Sequence, residues 1–82
     1  MPTVAVIDGL RVVIYPNDHR PAHVHVIGGG CEAVFKLNCL EGPPELRENY
    51  GFVAGKLSRI KAGLAARLKS LCGEWSRIHG LP

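Results

Sequence analysis

The feature that most constrains this chain is a change of period past its middle. From Val53 onward, Val53, Leu57, Ile60, Leu64, Leu68, Leu71, Trp75 and Ile78 recur at spacings of three and four residues. This is the α-helical repeat, and it gathers these side chains into one narrow arc that must find an apolar surface to cover. The residues ahead of the stripe obey a different rule. Segments 3–7 and 10–15 are rich in β-branched residues and are joined by Asp8-Gly9, a pair suited to the positive φ angles of a two-residue hairpin turn. Segments 23–27 and 32–37 form a second such pair across Gly28-Gly29-Gly30.

Strand alternation then sorts the side chains. Val24, Val26, Ala33, Phe35 and Leu37 share one face, while His23, His25, Val34 and Lys36 share the other. The expected architecture is a single α+β domain over residues 1–82. It is a four-stranded antiparallel β-meander (3–7, 10–15, 23–27, 32–37) with one long or kinked amphipathic helix, 53–79, packed on one face. The histidines then point to the open face. Residues 38–51, with Gly42-Pro43-Pro44, read as an irregular crossover. Gly55, Gly63 and Gly73 fall on the wet side of the helix, which is expected to bend, if anywhere, at Gly63 or Gly73.

A helix of about 25 residues measures roughly 38 Å, whereas a strand of this kind spans about 20 Å. The helix therefore overhangs its sheet, leaving Leu71, Trp75 and Ile78 in need of a partner. This mismatch points to a homodimer through the C-terminal helix or to a cognate small protein. A kink that folds the helix back is the alternative.

Composition narrows the class further. A chain of 82 residues that is 46% hydrophobic and 21% charged has enough apolar material for one core and is no disordered segment. No window approaches the roughly 18 apolar residues of a membrane span, and the first residues lack a signal-peptide pattern. Three cysteines, with no C-x-x-C, suggest free thiols in a reducing compartment. The expected location is the cytoplasm, away from membranes. A net charge of +3 suits RNA and an acidic protein partner equally well.

Within this frame, the chemistry is concentrated in Asn17-Asp18-His19-Arg20-Pro21-Ala22-His23-Val24-His25. Three readings compete. In a metal site, His23 and His25 project from one face of a strand and His19 adds a third nitrogen, with Asp18 or Cys39 as a further ligand. Zinc is the natural divalent candidate for such a set, although no cofactor is certain. In metal-free acid–base chemistry, His23 and His25 serve as general base and acid on RNA, with Arg20, Arg11 or Lys36 stabilising developing charge. Glu48 and Tyr50 are candidate contributors that sequence does not place beside the histidines. In the third reading Asn17, Asp18 and Pro21 merely shape a turn, and the histidines fill an interface.

Elsewhere the signals are weaker. Lys56, Arg59 and Arg67, with Arg77 nearby in phase, form a basic helix face that suits a phosphate backbone but is more often just the solvated side of an amphipathic helix. The glycine triplet is a turn and no phosphate loop, because no helix N-terminus follows it. No serine or cysteine stands in an arrangement for acyl transfer.

The chain resembles a bacterial family, domain of unknown function 4160, over nearly its whole length. The resemblance rests on Met1-Pro2-Thr3-Val4, Tyr15, the string from Asn17 to Pro21 followed by His23-Val24-His25-Val26, and the triplet Gly28-Gly29-Gly30. It continues through Glu32-Ala33-Val34-Phe35-Lys36-Leu37, Leu46-Arg47-Glu48-Asn49 and Gly51-Phe52. It implies a gene arrangement similar to toxin–antitoxin pairs, hence a cognate partner and a toxin-like role. Two departures stand out. Val53 occupies the place of a helix-capping Ser or Thr, so the first turn should fray, and Ala22 stands where a second proline is common. The functional expectation is a toxin-like member of a two-gene module acting on RNA through the histidine face. The alternative is a non-catalytic protein-binding or structural module, or a small metal-binding protein.

Overall fold

The computed structural model describes residues 3–80; Met1 and Pro2, part of the family resemblance, lie outside them. Five strands precede two helices: β1 (Thr3–Ile7), β2 (Leu10–Val13), β3 (His23–Gly28), β4 (Cys31–Lys36), β5 (Glu45–Tyr50), α1 (Ala54–Ala66) and α2 (Leu68–His79). The strands form one antiparallel sheet in the order β1-β2-β3-β4-β5. Asp8 and Gly9 turn the first hairpin with φ of 53° and 77°, the left-handed values that such a turn demands.

The α+β meander and its core face are as the pattern predicts. Val12 pairs with Val26, Val26 with Ala33, and Val24 with Phe35. All five are essentially buried, together with Leu37, and they meet Ile60, Leu64, Leu71 and Trp75 of the helices. Close approach is built into this contact. A Cβ on Gly63 would sit 2.6 Å from Ile7 Cγ2, so Gly63 faces the sheet and not water as its phase suggests.

Three further expectations are corrected. The sheet has five strands because residues 45–50, read as part of a crossover, pair with β4. Every residue of β5 is exposed, so this edge strand carries no apolar alternation by which a sequence pattern could be recognised. The long helix is two helices, and the break falls at Arg67 rather than at a glycine. There the Arg67 N–H turns back to Leu64 O at 3.1 Å and the next helix resumes with Leu71 N–H on Arg67 O at 2.9 Å.

The break also removes the overhang. The described chain measures 32 × 26 × 19 Å, too short for a straight helix of that span, and Leu71 and Trp75 are buried within the chain. Ile78 packs against the same core. The uncovered apolar helix end that favoured a homodimer is therefore absent from the described residues.

The cysteines supply the last correction. Cys39, in the loop after β4, is bonded to Cys72 of α2 across a sequence separation of 33, and Cys31 alone is a free thiol. An odd count is compatible with one pair plus one thiol, and neighbours in space were not neighbours in sequence. Among the described residues no helix is long and apolar enough to cross a membrane.

Candidate functional site

His23 and His25 stand two positions apart on β3, so both side chains leave the sheet on the face opposite Val24 and Val26. His25 lies between Val13 of β2 and Val34 of β4 in the register, and both valines are buried. Burial on this face shows that it is not simply open. The loop between β2 and β3 folds over it, and its turn is closed by Asp18 N–H on Tyr15 O at 3.0 Å. Tyr15 N–H donates in return to Asp18 Oδ2 at 3.0 Å. This two-way anchor sets the carboxylate above the histidines.

Asp18 Oδ2 lies 3.3 Å from His25 Nε2 and 3.6 Å from His23 Nε2. The side chains of His23, His25 and Asp18 retain only 10%, 16% and 15% of their exposure. Both imidazoles are oriented from behind. The His23 Nδ1–H donates to Pro21 O at 2.9 Å, and the His25 Nδ1–H donates to Glu32 Oε2 at 3.1 Å. A carbonyl and a carboxylate can only accept, so Nδ1 of each ring carries a proton and Nε2, a lone-pair acceptor when the ring is neutral, faces Asp18.

The aromatic surroundings fix the same rings. The His23 and His25 ring centroids are 5.4 Å apart, and Tyr15 meets His25 edge-on at 4.8 Å. His23, at the end of the sheet, also lies 5.3 Å from Trp75, which stacks on His79 at 4.1 Å. The His79 Nε2–H donates to Tyr15 O at 3.0 Å. The last turns of α2 thus brace both the residue that holds Asp18 and the ring of His23.

Asp18, His23, His25 and Glu32 border a cleft of about 350 Å³ lined also by His19, Arg20, Arg47 and Glu48. Arg47 and Glu48 are consecutive on β5, yet both line it. The register passes from Val34↔Glu48 to Phe35↔Leu46, leaving Arg47 as the extra residue of a β-bulge, which lets neighbouring side chains share a side. Glu48 also accepts a hydrogen bond from Tyr50 Oη at 2.6 Å. That bond, together with the charges of Glu48 and Glu32, raises the phenol above its ordinary range.

The expected site residues fare unequally. Asp18, His19, Arg20, His23 and His25 all line the cleft, but the set close enough to hold one ion is Asp18, His23 and His25, with donor atoms within 4.8 Å of one another. His19 is exposed and outside that set. Cys39 is no ligand, since its sulfur is committed to Cys72. Arg11 and Lys36 do not line the cleft, and Arg47 takes the place foreseen for them. Of the basic helix residues, Lys56 and Arg59 are held by Asp8, at 2.6 and 3.4 Å. The two cations lower the Asp8 carboxyl below its ordinary range, through their hydrogen bonds first and their charge second. Arg67 sits at the helix junction.

Glu32, Arg47, Tyr15 and His79 were not singled out from sequence. Glu32 was legible in part, because it sits two residues from Val34 on the histidine face; the bulge that brings in Arg47 left no sequence signal.

No curated protein and no solved structure matches the chain. A family model described as "Domain of unknown function (DUF4160)" matches residues 9–76, a span that holds every residue lining the cleft. By that match, this chain belongs to the DUF4160 family.

Proposed function

We propose that the histidine cleft acts on RNA phosphodiesters, and that the protein is the toxin-like member of a two-gene toxin–antitoxin-type module. The observation that carries this reading is the convergence of two guanidiniums, Arg20 from the loop and Arg47 from β5, on a cleft that holds three imidazoles. Guanidinium forks bind phosphate oxygens bidentately, and imidazoles within reach of a ribose hydroxyl or a leaving oxygen can take up and give back its proton. The toxin-like role and the cognate small partner rest on the gene arrangement that the family resemblance implies.

A second reading is favoured by β5. It is an edge strand exposed along its whole length, with Leu46 and Tyr50 at 42% and 60% exposure. Such an edge suits a non-catalytic module that binds a partner protein by strand addition.

Induced expression in bacteria separates the two. The wild type is expected to arrest growth, and a His23→Ala/His25→Ala variant at equal soluble level is expected not to. Equal growth of both would reject the catalytic reading, and partner binding lost on substitution within β5 but kept in the histidine variant would support the binding one.

A further inference from the structure

We propose that Asp18, His23 and His25 form a binding site for a divalent transition-metal ion of the zinc class, with its remaining coordination positions open to the cleft. Three features of the geometry carry this. The first is direction. The hydrogen bonds to Pro21 O and Glu32 Oε2 hold both ring protons on Nδ1, so two Nε2 lone pairs and a carboxylate converge on one point. With both rings neutral, three acceptors face one another in a part-buried space, and their mutual repulsion is relieved by a proton or by a metal cation among them.

The second is spacing. A tetrahedral ion with bonds of about 2.05 Å sets its donors about 3.3 Å apart. The two histidine-to-Asp18 distances are 3.3 and 3.6 Å. All three donors lie within 4.8 Å of one another, so one ion reaches every donor once the widest pair draws together. The third is the surrounding shell. Each donor has its own orienting partner: Pro21 O behind His23, Glu32 behind His25 and Tyr15 N–H on Asp18. Imidazole ligands of metals are held in this way, by carbonyl or carboxylate acceptors on the far nitrogen.

Two imidazole nitrogens and one carboxylate oxygen suit zinc, cobalt or ferrous iron better than magnesium or calcium, which prefer oxygen alone. A metal also addresses the charge of the cleft. Its lining holds three carboxylates, Asp18, Glu32 and Glu48, against two guanidiniums, Arg20 and Arg47. That single negative excess opposes a polyanion, and a divalent ion reverses it. Use of the ion on RNA rests on the phosphodiester reading above, whereas its binding does not. In that use the ion would polarise a phosphoryl oxygen or acidify a bound water, with Arg20 and Arg47 beside it.

The test is titration of the chelator-stripped, full-length Cys31→Ser protein with Zn²⁺ and with Co²⁺, by calorimetry and by the visible bands of cobalt. The Cys31 change removes the free thiol as a competing ligand. One ion per chain is expected, with ligand-field bands of nitrogen and oxygen coordination. Asp18→Asn, which keeps shape and removes charge, should weaken binding at least ~100-fold, and Glu32→Gln, which changes the partner behind His25 and leaves all three donors in place, by ~10–100-fold. Circular dichroism of each variant in the absence of metal confirms an intact fold. Absence of binding, or affinities in Asp18→Asn and Glu32→Gln within about twofold of the parent, would overturn the site. Metal binding without RNA cleavage would uphold the site and remove the phosphodiester reading. RNA cleavage at full rate in the stripped protein would overturn the metal's catalytic use and leave that reading standing.

Discussion

Reducing the Cys39–Cys72 bond is expected to cost a large share of the stability of this domain. The bond closes a loop with a sequence separation of 33. By the loop-closure relation, such a link removes roughly 3–4 kcal/mol of unfolded-chain entropy at 25 °C. A chain of 82 residues has only about 4–12 kcal/mol of total stability at the usual ~0.05–0.15 kcal/mol per residue. With a urea dependence near ~1 kcal/mol per molar, the midpoint should fall by about 3 M on reduction. The consequence reaches the cleft, because Cys72 lies one helical turn before Trp75 and two before His79, the residues that brace His23 and Tyr15. The assay is urea unfolding followed by tryptophan fluorescence, with and without reductant, beside a Cys72→Ala variant and a thiol count under native conditions. One reactive thiol and a matching loss in both reduced and Cys72→Ala proteins are expected. Three reactive thiols in the untreated protein, or a midpoint unmoved by reductant, would refute the reasoning.

Val53 leaves the first turn of α1 without a side-chain cap, so Val53→Thr should add about 1 kcal/mol, seen as a melting point about 4–8 °C higher in a domain of this size. The Asp8 carboxyl is held below its ordinary range by Lys56 and Arg59. Its ion pairs therefore stabilise the fold above the unfolded aspartate value of about 3.9, and that contribution is lost as pH falls through the folded value. Urea midpoints measured down the acid limb should fall less steeply in Asp8→Asn than in the wild type. Tyr50 ionises above its ordinary range because Glu48 accepts its proton in a hydrogen bond and repels the phenolate, as Glu32 also does. An ultraviolet titration should show a high-pH tyrosinate step that Glu48→Gln moves downward and Tyr50→Phe abolishes.

What was legible in the sequence follows from which forces act locally. The Asp8-Gly9 turn, the alternation along β3 and β4 and the apolar stripe from Leu57 to Ile78 are all short-range signals, and each specifies its element and its buried face. β5 was hidden because an exposed edge strand needs no apolar alternation, and its bulge at Arg47 breaks what alternation remains. The break at Arg67 was hidden for a related reason. The hydrophobic phase runs almost unchanged through it, and the chain bends where burying Leu71 and Trp75 on the sheet outweighs one continuous run of helical hydrogen bonds. In the site, the string from Asn17 to His25 pointed to the right segment but not to the right set. Asp18, rather than His19, meets the two imidazoles because a backbone anchor at Tyr15 aims it there. Glu32, Arg47 and His79 arrive through pairing, bulge and helix docking, none of which a nine-residue motif can encode.

The central claim, that the cleft around Asp18, His23 and His25 works on RNA, is tested most directly by incubating the purified, zinc-loaded protein with a labelled single-stranded RNA beside Asp18→Asn and Arg47→Ala. Cleavage by the wild type that falls at least ~10-fold in each variant, with their folds intact, is the predicted result, since each loses a charged contact in the cleft. Intact RNA in every tube, or cleavage equal in all three proteins, would contradict the account.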